Sequence, residues 1–107
     1  MSHEVTFSIN KLPEANVNQP YLQKIEIYNA GAMPDEDQIQ WEVTPENTGL
    51  TIKRTISETS RNGFFGGIEI SGIPKFQGEI TINIHGYGYS SYSGRKFNKT
   101  FHIKVNP

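Results

Sequence analysis

Apolar and polar residues alternate along most of this chain, most plainly over residues 66–86, which read GGIEISGIPKFQGEITINIHG. Ile68 and Ile70 alternate with Glu69 and Ser71, and Ile80, Ile82 and Ile84 alternate with Thr81, Asn83 and His85. A period of two sends one set of side chains to a buried face and the other to water, so each run predicts a strand. Gly72, Pro74 and Gly78 between them supply a turn. The stretch therefore reads as two strands joined by a connection that crosses from one sheet to another.

The same period recurs on both sides. Residues 4–10 place Val5, Phe7 and Ile9 on one face, and residues 21–28 place Ile25 and Ile27 inward. Residues 38–44 alternate Ile39, Trp41 and Val43 with Gln38, Gln40 and Glu42. Residues 50–56 begin apolar with Leu50 and Ile52 and end charged, which marks an edge strand. Residues 97–105 align Phe97, Phe101, Ile103 and Val105. The intervening segments are turn-like. Residues 11–20 hold Pro13 and Pro20, suited to a sheet edge, and residues 29–37 are a polar loop. Residues 57–63 have the composition of an exposed tip, with Asn62-Gly63 as a tight turn. No stretch sustains a 3.6-residue period. About seven short strands separated by Gly, Pro and Asn clusters predict an all-β sandwich.

Length and charge narrow this further. The 107 residues make one domain, 1–107, large enough for a core but not for a deep active-site cavity as well. With 35% apolar residues, the aromatics carry much of the burial. Ten basic against eleven acidic residues leave no excess to neutralise phosphates, which argues against a nucleic-acid partner. The absence of cysteine excludes a disulfide framework and a thiolate metal site. The first ten residues lack the basic and apolar regions of a signal peptide, and no apolar run is long enough for membrane insertion.

The residues at 12–21 (LPEANVNQPY), 39–45 (IQWEVTP), 48–53 (TGLTIK), 66–86 and 101–105 (FHIKV) together resemble the bacterial He-PIG immunoglobulin domains and the dystroglycan-type cadherin-like modules. The most specific part is the phrase Gly67-Ile68-Glu69-Ile70-Ser71-Gly72-Ile73-Pro74 followed by Gly78. The resemblance implies an immunoglobulin-like β-sandwich used for spacing, adhesion and partner binding in surface or secreted proteins, and not for catalysis. Family members often carry an acidic residue after the strand that here holds Ile80 to Ile84. This chain reads His85-Gly86-Tyr87-Gly88 there, so the resemblance does not extend to cadherin-type calcium coordination.

Candidate chemistry is sparse. Tyr87, Tyr89 and Tyr92 read as a loop, residues 87–92, rich in Ser and Gly, a composition that suits recognition of a protein or a carbohydrate, because tyrosine offers wide contact area with few rotatable bonds. The alternative is that they cover one end of the sandwich. Trp41 reads as a core anchor between the sheets. Asp35, Glu36 and Asp37 cluster without the alternate spacing of a calcium loop and read as a solvated loop. His85 and His102 fall on the outward phase and are neighbours only if their strands pair; two imidazoles are too few for a metal. Asn98-Lys99-Thr100 has the glycosylation pattern but falls within a strand. No catalytic residue, metal site or cofactor is identified, and no nucleophile sits in an elbow motif. The chain reads as an interaction module for a protein partner, with a carbohydrate-binding module or a structural spacer as alternatives.

Overall fold

The computed structural model describes residues 5–28, 39–56, 66–88 and 95–107. Among these residues eight strands form: β1 (Thr6–Phe7), β2 (Ala15–Asn16), β3 (Tyr21–Tyr28), β4 (Ile39–Thr44), β5 (Leu50–Ile56), β6 (Gly66–Gly72), β7 (Gly78–Gly88) and β8 (Arg95–Asn106). There is no helix among the described residues. The strands make two four-stranded sheets, ordered β1-β3-β6-β5 and β2-β8-β7-β4. All neighbours are antiparallel except β2 and β8, which run parallel.

Isoleucine dominates the core because the alternation aims it there from both sheets. Ile25, Ile27, Ile68 and Ile70 come from one sheet, and Ile39, Ile80, Ile82, Ile84, Phe101 and Ile103 from the other. β-branched side chains suit this geometry, being stiff at χ1 and well packed on a pleated surface. Phe7 of β1 reaches across to β8, meeting the Phe97 ring edge-on at 6.1 Å and the Phe101 ring at 6.0 Å. The inward faces of the two sheets are thus packed on one another.

The connection between β6 and β7 does cross between sheets. It leaves β6 at Gly72 and enters β7 at Gly78, with φ of 132° and 133°, values that side-chain-bearing residues rarely adopt. Its middle is pinned from two directions. The Lys75 amide donates to the Thr48 carbonyl at 2.7 Å, and the Asn18 amide donates to the Pro74 carbonyl at 2.9 Å.

Four elements differ from the pattern reading. The first strand was expected over residues 4–10, but β1 pairs only at Thr6 and Phe7, although Val5, Phe7 and Ile9 keep their phase and pack against the core. The chain then leaves for the other sheet. Residues 11–20, expected to be irregular, include β2, where Ala15 pairs with Val105 and the Val17 amide donates to the Asn106 carbonyl at 2.9 Å. One expected strand is thereby split between two sheets, which gives eight strands among the described residues. β7 runs on to Gly88 and β8 starts at Arg95, so Tyr87 lies in a strand and not in a loop. Trp41, expected as the buried anchor, keeps its inward phase but is only half-buried, because β4 ends its sheet and no described strand covers the outer side of the indole.

Candidate functional site

Two surfaces are candidates for a site: the outer face of the β4-β7-β8 sheet and the edges that the described strands leave open in both sheets. Alternation that buries isoleucine on one side of β7 places Glu79, Thr81, Asn83, His85 and Tyr87 on the other. Register then lines up polar rows. Gln40, His85 and Asn98 form one row across three strands, Glu42, Asn83 and Thr100 form the next, and Thr44, Thr81 and His102 the third.

These rows are closely bonded. Nε2 of His85 lies 2.9 and 3.0 Å from the two Glu42 carboxylate oxygens. The Asn83 side-chain amide donates to Asn98 Oδ1 at 2.7 Å and to Thr100 Oγ1 at 3.1 Å. Nδ1 of His102 sits 2.8 Å from Glu79 Oε1 and 3.2 Å from Thr81 Oγ1. The strands carrying His85 and His102 do pair, but His85 sits opposite Asn98 and His102 opposite Thr81, so each imidazole has its own carboxylate. Asn98-Lys99-Thr100 lies within β8, as read. Among the described residues, no three His, Cys, Asp or Glu side chains come together.

At the Gly88 end of this face is a shallow hollow of about 490 Å³, bordered by Gln40, His85, Tyr87, Lys96 and Asn98. Tyr87 is 43% exposed there and pairs in register with Lys96. Of the three tyrosines singled out by composition, Tyr87 is therefore on the surface at the rim of a concavity, while Tyr89 and Tyr92 lie outside the described residues. The acidic cluster at 35–37 and the turn at 62–63 also lie outside them. Sequence reading missed Gln40, Lys96 and Asn98 as companions of Tyr87, because only the β4-β7-β8 register joins them.

Two other tyrosines are held structurally. Tyr21 is buried and its hydroxyl donates to the Pro13 carbonyl at 2.9 Å; burial pushes the phenol up to about 12. Tyr28 is exposed, and its hydroxyl donates to Glu26 at 2.8 Å. That hydrogen bond, aided by some desolvation and by the Glu26 charge, raises its pKa.

The edges differ in how they are guarded. An edge strand offers unpaired backbone groups to any other strand, and a charged or polar residue on the inward phase discourages such pairing. On β5 the inward phase reads Leu50, Ile52, Arg54, with Arg54 half-buried opposite Ile68. On β8, beyond the reach of β2, it includes Lys99, half-buried with Nζ 5.8 Å from the Phe101 ring centroid. On β3, beyond the reach of β1, it includes Gln23. On β4 it reads Ile39, Trp41, Val43, with no polar member. A groove of about 310 Å³ is lined by Ile39, Gln40, Trp41 and Glu42. Consecutive strand residues point to opposite faces, so a groove bordered by all four runs along the edge itself.

No helix among the described residues is long and apolar enough to cross a membrane. Comparison with protein-family models, with curated proteins and with solved structures finds no match to the chain.

Proposed function

We propose that this chain is an immunoglobulin-like interaction module, non-catalytic, that binds a protein partner through its open edge and the adjoining end of the β4-β7-β8 sheet. The observation that carries the reading is the β4 edge, which among the described residues has no strand beyond it and no polar residue on its inward phase, and which carries half-buried Trp41. A groove along a sheet edge with an aromatic side chain in its lining suits peptide recognition by strand addition: main-chain hydrogen bonds supply affinity and side-chain pockets supply selectivity.

The immunoglobulin-like assignment draws support from strand order. In chain order, β1-β3-β6-β5 and β4-β7-β8 correspond to the ABED and CFG sheets of that fold, and Trp41 stands on the strand where such domains place a core tryptophan. By the family resemblance, the module belongs to a bacterial surface or secreted system. A carbohydrate ligand is the second reading, favoured by the hollow in which Tyr87 adjoins two amides, Gln40 and Asn98, with Lys96. An exposed phenol ring and flanking amides suit a sugar's C–H face and hydroxyls.

Position-specific photo-crosslinking in the cells that make the protein tests this. A photoreactive amino acid at Gln40 or Tyr87 is expected to give discrete protein adducts, and one at Thr51 on the guarded β5 edge is expected to give none. Adducts at no position would leave a spacer and overturn the reading. Resonance shifts at Tyr87, Lys96 and Asn98 on adding soluble glycans, without protein adducts, would replace it with the carbohydrate reading.

A further inference from the structure

We propose that the β4 edge pairs with the β4 edge of a second copy of this chain, antiparallel about a two-fold axis at Trp41, which joins two four-stranded sheets into one of eight. This deepens the reading of the domain as an interaction module and rests on it. A strand meeting its own copy about a two-fold axis pairs residues whose numbers sum to a constant, and same-face pairing makes that constant even. Two registers keep most of β4 in contact. Centred on Glu42, carboxylate faces carboxylate, which is repulsive. Centred on Trp41, Ile39 faces Val43, Trp41 faces Trp41, and Gln40 faces Glu42 twice over.

The second register is complementary at every pair from Ile39 to Val43. Ile39, Trp41 and Val43 share the inward phase, so their pairing extends the apolar layer and covers the half-buried indole. Gln40 and Glu42 are both exposed on the polar face, where the amide donates to the carboxylate. Although Glu42 already accepts from His85 Nε2, a carboxylate has lone pairs for further donors. The β5 edge of the other sheet explains why the contact stays in one layer. Arg54 on its inward phase discourages a second pairing in the other sheet, which keeps the interface small and reversible.

Sedimentation equilibrium of the full chain between about 10 µM and 1 mM, the range suited to a small interface, tests the proposal. The wild type is expected to show a monomer–dimer equilibrium. Gln40→Glu sets like charges opposite one another across the axis, as does the double variant Gln40→Lys/Glu42→Lys. Each is expected to weaken self-association by about tenfold or more. An equimolar mixture of the two is expected to restore dimer, because the introduced lysines then face carboxylates. Both positions are exposed, and an unchanged circular dichroism spectrum verifies that each variant folds. A wild type that stays monomeric throughout, variants that dimerise like wild type, or a mixture that remains monomeric would each overturn the proposal. Monomeric wild type with crosslinks at Gln40 to a different protein would overturn the second copy as occupant while leaving the interaction-module reading in place.

Discussion

Tyr21 links a single residue to the stability of the whole domain. Its phenol is raised from 10.0 to about 12 by burial, so the folded state holds this proton more tightly than the unfolded chain. The associated stability is present below pH 10 and is lost as pH rises through 10 toward 12. Denaturant melts of wild type and Tyr21→Phe across that window are expected to converge, because the variant has no phenol to ionise. It starts lower by about 1 kcal/mol for the lost hydrogen bond to Pro13. A parallel decline of the two proteins would separate Tyr21 from the alkaline transition. Trp41 sets a second expectation at this scale. Half-buried on an edge strand, it is worth less than the roughly 3–5 kcal/mol of a fully buried aromatic, whereas Ile82→Ala, at a site with no exposure, costs about 2–5 kcal/mol. Urea melts of Trp41→Ala and Ile82→Ala measure both. The phase of Trp41 was legible in the sequence because alternation is local. Its depth was not, because depth depends on whether a strand far away in sequence lies alongside.

At the scale of elements, pairing partners decide what alternation alone leaves open. The residue run of β6 and β7 was legible, down to the crossing at Gly72 and Gly78, because isoleucines and glycines mark its ends within a few residues. The split of the first strand was not: β2 is two residues long, and it exists through its contact with Val105 and Asn106, some ninety residues later. The extension of β7 through Tyr87 was equally hidden, since a Gly-Tyr-Gly run has no alternation to read, yet the β8 ladder continues past it. Gly72 shows how tightly two elements meet. A Cβ added there would strike the Gly49 carbonyl oxygen of the neighbouring turn, in a backbone conformation that already disfavours a side chain. Gly72→Ala is therefore expected to destabilise by more than about 1 kcal/mol, the upper end of what a compatible Gly→Ala substitution would gain, with the opposite sign. A chemical melt showing no loss would mean the turn yields easily. Lys99 has a different task on β8. Its replacement by Val is expected to leave the melting temperature unchanged or higher but to increase light scattering on heating, because the open part of that edge loses its guarding charge.

At the scale of the molecule, the eight strands of the described residues place an apolar layer between two polar faces, and the two faces differ in chemistry. The outer face of β3-β6-β5 carries the ion pair Lys53–Glu69 at 3.0 Å, which links β5 to β6 with its lysine exposed and its carboxylate largely covered. The outer face of β4-β7-β8 holds the bonded rows of His, Asn, Thr and Glu and ends in the hollow beside Tyr87. The all-β class and the two-layer packing were legible because the longer strands carry their own period. The candidate site was legible only at Tyr87, since its neighbours are assembled by register. Far from that hollow in chain sequence but next to it in space, β4 supplies both Gln40 at the rim and the open edge, so one strand serves both surfaces. Residue-resolved amide hydrogen exchange across β4 tests the account most directly. On an open edge, alternate residues point their amides at β7 and the others at solvent, so protected and unprotected amides should alternate in dilute solution. At millimolar concentration the unprotected set should become protected, while β7 amides, already flanked on both sides, do not change. Uniform protection of all β4 amides in dilute solution, or alternation that persists unaltered at high concentration, would contradict an open edge that pairs with a second copy.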